Sequence, residues 1–566
     1  MKAKDLLDLA ETLYTKRSSL LMLWQEIAEN FYPERADFTY RRSLGTDFAT
    51  DLMTSYPMMC RRDLGDQVGT MLRPTAKAWF KTEPVDPRRE DNDSSRWLQW
   101  ADSVMRRAMY DRRALFTRAT KEGDHDFSSF GQTVISVRIN KNNDGLLYRC
   151  WHLRDCSWQE NEEGKICVVF RKWKPAARDL VRLFGGQVHG EVDKLITTNK
   201  PFIEVECMHM VVEMDLYDGD IDSYDVGLDG NAARVRRGAT TAERKRYPYV
   251  SIYYDTQNQH IMEAVATWNQ EYMIPRWQTV SGSQYAFSPA TVAALPDARL
   301  IQAMTYTLLE AGEKIVNPPM VATQDVIRSD IGIYAGATTW IDRDYDERLG
   351  EALRPLTTDA RGMPLGIDMQ ADSRMMLKQA FYLNKLTMPA RGPEMTAYEV
   401  GQRIQEYIRG ALPLFEPMET EYNGGLCELT FDILRRHGAF GSPHDMPPSL
   451  QDAELQFHFQ SPLHDAIEQQ KGQKFIEMQQ MIAAAMQLDP SVGALPDAVV
   501  ALRDVLDGIG VPAKWVRSEV TVKQIQDAQD AAAQAQQQMA MIEQGAGAIK
   551  DLGSASKDSA MASMAA

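Results

Sequence analysis

The chain has little with which to build a covalent or metal-bound scaffold. Six cysteines are spread over 566 residues, too few for a disulfide framework in so long a chain, and a reducing compartment is the default expectation. No apolar run approaches the roughly 18 residues that a membrane span needs. The charged, amphipathic start gives no export signal, so the expectation is a soluble intracellular product without membrane contact. Net positive charge is also missing. The formal charge is −16, which excludes a simple basic nucleic-acid binder, because tight phosphate binding needs Lys and Arg to release counterions. The phosphate-cradling G-x-x-x-x-G-K-S/T loop of an NTPase is absent, as are G-x-S-x-G and H-E-x-x-H. A motor, a hydrolase of the nucleophile-elbow type and a zincin are therefore not indicated, and no catalytic residue or cofactor is expected.

What remains is ordinary globular composition, with 44% apolar and 25% charged residues. Periodicity predicts a helix over 5–32 (Leu6, Leu9, Leu13, Leu20, Trp24, Ile27, Phe31) ended by Pro33, then helices over about 52–72 and 94–118, the last with Asp93 and Ser94 as candidate caps. Near residue 130 the pattern changes to alternation. Strands are expected at 135–139, Leu146–Trp151, Ile166–Trp173, 203–214 and 247–254, with 215–246 as a surface loop rich in Asp, Gly and Arg.

Helices then return. Ile301, Met304, Leu308, Ala311 and Ile315 form a seam between Pro296 and Pro318. Met369, Met376, Ala380 and Leu383 form a second one ending near Pro389. Two helices thus flank a compact insert, and antiparallel packing would project that insert at one end. A further helix starts at Thr396, a Gln- and Met-rich helix covers 467–486, and the Ala/Gln-biased end carries only a thin apolar stripe suited to packing between copies or to a frayed helix. The fold class is α+β, mainly helical.

Three local patterns invite a metal or phosphate reading. Cys150, His152, Cys156 and Cys167 lack the knuckle spacing of a zinc site and fit a packed β-meander better. Asp218, Asp220 and Asp222 mimic the start of a calcium loop, but Ser223 stands at the glycine position and Asp229 at the glutamate position, so an acidic turn is favoured. Basic doublets such as Arg41-Arg42, Arg61-Arg62 and Arg236-Arg237 are scattered through an acidic chain and read as solvated faces or ion pairs.

Several segments together resemble one family, the head-to-tail connector, or portal, proteins of short-tailed bacteriophages. They are Arg61 to Pro74 with Trp79-Phe80, Ser283 to Pro289 with Ala294 to Asp297, Asn317 to Met320, and Glu394 to Val400 with Arg403 and Glu406. Their order spans about 1–445. Ala286-Phe287 and Tyr398 depart from the usual pattern.

The resemblance implies a dodecameric ring at one capsid vertex, in the virion and assembled in the host cytoplasm. The ring would be the channel for packaging and ejecting double-stranded DNA. The implied partners are other copies of the chain, the major capsid protein, the tail adaptor or tail-tube protein, the terminase large subunit, and non-specifically held DNA. The implied parts are a wing (1–260), a loop and first stem helix (261–317), a clip (318–368), a second stem helix (369–388), a tunnel loop (389–395), returning wing helices (396–490) and a crown or barrel (491–566). Lys385, Arg391, Gly392 and Pro393 would face the channel. Tyr334, Trp340, Asp342 and Arg343 would meet adaptor and terminase at the clip. An anionic lining suits a conduit that must not grip DNA. The alternative class is a prophage-encoded DNA-binding or processing factor that forms no ring. A weaker alternative is a metal-dependent enzyme using the acidic loops.

Overall fold

The computed structural model describes residues 1–42, 49–75, 77–89, 91–226, 232–316, 318–322, 348, 353–355, 362–386, 410, 416–442, 445–459, 475–485 and short runs between 501 and 536. It mixes helix and strand and divides into two units, Met1–Trp79 with Arg106–His437, and Phe80–Met105 with Gly438–Ala566.

In the larger unit the first predicted helix is two: α1 (Ala3–Lys16) and α2 (Ser18–Phe31). They part at Arg17. This residue is 2% exposed, and its guanidinium donates to the carbonyls of Leu153, Arg154 and Cys156. The break lets one charged side chain satisfy three loop carbonyls that apolar spacing gives no hint of. Helix α3 (Tyr56–Leu72) ends at Arg73-Pro74 as expected. The third predicted helix is again two, α4 (Asn92–Met109), most of which belongs to the smaller unit, and α5 (Phe116–Phe130). The N-terminus of α4 is capped by Asp91, whose carboxylate accepts from the Ser94 amide while the Ser94 hydroxyl accepts from the Asp91 amide. Asp93 lies in the first turn instead.

Two antiparallel sheets follow. Strands β2 (Val134–Ile139), β3 (Leu146–Trp151) and β11 (Tyr272–Met273) form one, in the order β11-β2-β3. Strands β4 (Cys156–Glu160), β5 (Ile166–Trp173), β6 (Cys207–Glu213), β9 (Tyr249–Asp255) and β10 (His260–Thr267) form the other, in the order β10-β9-β6-β5-β4. Because side chains alternate along a strand, the two faces of this second sheet differ. Val168, Phe170, Met210, Val212, Val250 and Ile252 pack on Leu6, Ala10 and Leu13 of α1. The opposite face carries Arg171, His209 and Tyr253 in register. Helices α6 (Ala177–Phe184) and α7 (Gly190–Thr197) close part of that face, Leu180 and Val192 clustering with Cys207 of β6.

The segment 215–246 is not a loop throughout. It holds a β-hairpin, β7 (Asp220–Val226) and β8 (Ala232–Gly238), then α8 (Thr241–Arg246). The calcium-like pattern is consumed by this hairpin. The Asp222 carboxylate is bound by Arg234 and Arg236 and accepts the Ala264 amide at 2.8 Å, while Asp218 pairs with the N-terminal amine. Of the cysteine group, Cys156 and Cys167 are buried on strands and the His152 ring bonds Asp37. Among the described residues no group of His, Cys, Asp and Glu could hold a metal, and no helix is long and apolar enough to cross a membrane.

In the smaller unit, β1 (Phe80–Pro84) pairs antiparallel with β12 (Leu455–Phe459). The Thr82 amide and hydroxyl donate to Asp102 on α4. Trp97 and Trp100 sit edge-on to Phe440 at ring distances of 6.1 and 6.4 Å.

Candidate functional site

The two predicted seams belong to a long helical hairpin in the larger unit, made of α9 (Pro289–Val316) and α10 (Gly362–Ala380). The first has 28 residues, about 42 Å at 1.5 Å per residue. It begins at Pro289 rather than after Pro296. Proline fits the first helical position, and Pro296 is carried inside a segment whose neighbours Ala290, Thr291, Ala294, Leu295 and Ala298 are all buried. The contacts run in opposite directions along the two helices. Gln370 Nε2 donates to Thr305 Oγ1 at 2.8 Å, Gly366 faces Leu308, and Gly312 faces Met363. The pair is therefore antiparallel.

Its base is held by several separate segments. Ser288 Oγ donates to the Ser128 carbonyl and Thr291 Oγ1 to that of Ser129, both at 2.7 Å. Gln302 accepts from the Met53 and Thr54 amides and donates to the Thr54 carbonyl. Arg299 pairs with Glu26. Tyr56 Oη donates to the Arg374 carbonyl at 3.2 Å. The loop before α9 is bolted too: Tyr285 packs on Trp158 and Trp24, and the fully buried Ala286 donates its amide to Gln132.

The base of the hairpin is buried and its shaft is not. Ile301, Ser373, Leu377 and Phe381 are covered, whereas Tyr306, Leu309, Val316, Leu365, Ile367, Met369 and Met376 are exposed, Val316 by 86%. The sequence seam on α10 is thereby corrected. Met376 faces water and Met369 only borders the groove between the helices. The packed face is Gly366, Gln370, Ser373 and Leu377. Two of these are polar, so an apolar stripe could not reveal them. Gly366 marks a close approach, since a Cβ there would lie 2.6 Å from Leu308 Cδ2 and the Leu308 side chain would have to turn aside. Over 303–316 and 362–380 the charges are Glu310, Glu313, Asp368 and Asp372 against Lys314, Arg374 and Lys378. The shaft is close to neutral rather than strongly anionic.

The second helix stops at Phe381, whose ring packs on Phe31 at 5.4 Å. Tyr382 takes a left-handed conformation (φ +56), and a short helix α11 (Leu383–Leu386) follows. Lys385 lies there, exposed, with its ammonium 5.8 Å from the Tyr382 ring. Arg391, Gly392 and Pro393, and the clip group Tyr334, Trp340, Asp342 and Arg343, lie outside the described residues.

The small-residue helix α3 is clamped by a buried polar network that the sequence reading missed. Gly65 and Gly69 let α5 approach so closely that a Cβ at Gly69 would lie 2.7 Å from Asp124 Oδ2. Asp124 pairs with Arg73, which also donates to Asn423 at 2.8 Å and sits over the Tyr422 ring. Burial pushes the Asp124 carboxyl up against the opposing pull of Arg73. Tyr422 and Asn423 belong to a π-helical turn, Met418–Gly424, leading into helix Gly425–Arg436.

A family model for bacteriophage head to tail connecting protein matches residues 3–516. The chain belongs to this family. The connector is similar to the probable portal protein of Bordetella phage BPP-1, 23% identical over 558 residues that cover 96% of this chain and 94% of that protein. It is also similar to the portal protein of Salmonella phage epsilon15, 22% identical over 556 residues, 95% and 93% of the two chains. The connector is thus a structural component of the phage head-to-tail junction and not an enzyme. The match runs past residue 445, where the recognisable segments end, into a region legible only by composition.

Proposed function

We propose that twelve copies of the connector form a ring at one capsid vertex, and that double-stranded DNA passes through its central channel during packaging and ejection. One observation carries this reading: a long, firmly based hairpin holds apolar side chains on its shaft in water. A monomer gains nothing from that arrangement, whereas a neighbouring copy would bury them, at about 25 cal/mol for each Å² covered. In this reading α9 and α10 are the stem, 1–260 is the wing, and the clip is the part of the expected 318–368 that precedes Gly362, where α10 begins. The clip residues Tyr334, Trp340, Asp342 and Arg343 receive the terminase large subunit and later the tail adaptor, and the outer surface meets the major capsid protein. Lys385, Arg391, Gly392 and Pro393 at the tunnel loop touch DNA transiently.

The test is the mass and shape of the purified chain. Twelve copies of 64.1 kDa give a particle of about 770 kDa with a central hole in negative stain. Compact monomers persisting at high concentration refute the ring and return the alternative, a DNA-processing factor of the same phage.

A further inference from the structure

Between the two sheets, beneath α6, lies a cavity of about 730 Å³ that the connector role leaves unused. Its walls are built by strand alternation. On the three-stranded sheet, Arg138, Arg149 and Trp151 share one face, because Ser136 is paired with Arg149 and Trp151 Nε1 donates to Ser136 Oγ. On the five-stranded sheet, Arg171, His209 and Tyr253 form one row. Positions that would ordinarily complete an apolar sandwich instead carry three guanidinium groups.

These arginines are held but not neutralised. Arg171 is 3% exposed. Its Nε donates to Tyr272 Oη at 2.7 Å, its guanidinium lies 3.8 Å from the Trp151 ring centre, and its Nη1 is buried without a hydrogen-bond partner. Arg138 donates to Tyr253 Oη at 3.1 Å. Arg149 has neither a hydrogen bond nor an ion pair among the described residues, only the Trp151 ring at 5.0 Å. Partial desolvation of the head group and the repulsion of Arg138 and Arg171 push its guanidinium down from the ordinary range although the side chain as a whole is exposed, and burial, helped by the same two arginines, keeps His209 neutral. Lys141 and Arg182 also line the space, against two carboxylates, Asp179 and Glu263. A third, Glu271, lies behind the row, 4.0 Å from His209 Nε2. The cavity therefore has an excess of two to three positive charges inside a chain of net charge −16.

We propose that this cavity binds a phosphate-bearing small molecule of nucleotide size. A single carboxylate would leave the excess uncompensated, whereas a phosphate ester brings two or more charges and the acceptor geometry that converging guanidinium groups fit. The volume lies within the range of small-molecule sites, and Trp173, Tyr253 and Phe184 give the apolar flank that such a ligand's organic part requires. A duplex is too wide to enter.

Calorimetric titration of the full chain at near-physiological salt tests this, with ATP and inorganic pyrophosphate as probes and a short DNA duplex as competitor. Saturable binding of ATP is expected. Arg149→Ala should weaken it about 10- to 100-fold, with partial recovery in Arg149→Lys and a smaller loss in Lys141→Ala. Arg149 is exposed, so these variants fold, and unchanged circular dichroism verifies it. No heat with ATP at millimolar concentration overturns the proposal, as does binding that Arg149→Ala leaves unaltered. Duplex binding that ATP does not displace overturns it in favour of a nucleic-acid backbone contact.

Discussion

Replacing Arg73 with methionine removes one half of a buried ion pair while keeping most of its volume. The two side chains are 4% and 6% exposed. Asp124 would be left in a site closed by Gly69 on one side and the Tyr422 ring on the other. Stranding a buried charge in this way costs about 3–5 kcal/mol. The pH dependence follows from the sign of the shift. Without Arg73 the folded-state carboxyl of Asp124 rises further above its unfolded value, so the folded protein takes up a proton more readily than the unfolded chain. The stability lost therefore grows as pH rises. Arg73→Met should cost more at pH 8 than at pH 5, and adding Asp124→Asn should restore at least half of the loss. Hydrogen exchange read by mass spectrometry suits a two-unit chain, because it resolves α3 and α5 individually. Exchange from the most protected amides of 56–72 and 116–130 should accelerate by about 10²- to 5 × 10³-fold at neutral pH. An acceleration below about fivefold, or one that does not vary with pH, would refute the reasoning.

Two further substitutions probe other parts of the molecule. Burial raises the Asp102 carboxyl from 3.8 to about 6 in the smaller unit. The group therefore favours folding below pH 4 and loses that contribution as pH climbs through 6, a swing of about 3 kcal/mol. Asp102→Asn, which can still bond Thr82, should flatten the thermal-stability profile between pH 4 and 7, and a parallel profile would count against it. In the hairpin, Gly366→Val places a branched side chain against Leu308 and should force the helices apart at a cost of about 1–3 kcal/mol. Sizing should then show fewer large particles and more free subunits, whereas undiminished assembly would show that this helix contact is dispensable.

Where burial and apolarity coincide, the elements were legible before any coordinates. Leu146–Trp151 and Ile166–Trp173 fall where alternation put them, and α9 and α10 carry Ile301–Ile315 and Met369–Ala380 of the two seams, although both helices begin well ahead of them, at Pro289 and Gly362. The failures share one cause: polar groups doing structural work. The buried face of α5 includes Gly123, Asp124, Asp126, Ser128 and Ser129, which no hydrophobic period can register. Strand β4 carries Ser157, Gln159 and Glu160 among its five residues, and apolar alternation assigns no strand there. The β7–β8 hairpin was read as loop because its charges look solvated, yet Asp222 is wholly enclosed by two arginines. The same blindness shifted the packed face of α10, where Gln370 and Ser373 make the contacts. The proposed channel and clip residues came from family likeness alone, since a lumen is formed by several chains and leaves no period in any one of them.

The uneven burial of the hairpin is itself an argument about assembly. A helix that only completed a monomer's core would be buried along its length, and one that only bridged solvent would be polar all round. Helix α9 does neither. Its first turns are locked to the body by Ser128, Ser129 and the Met53–Thr54 backbone, whereas beyond Gln302 it presents Tyr306, Leu309 and Val316 to water. Anchoring one end with directional hydrogen bonds fixes the angle at which the shaft leaves the body, and fixing that angle in each copy lets identical apolar faces meet identical partners. A floppy attachment would cost each contact its ordering entropy. In the proposed ring the polar anchor at the base and the apolar exposure above it are therefore one device, the first aiming the faces that the second offers to a neighbouring copy.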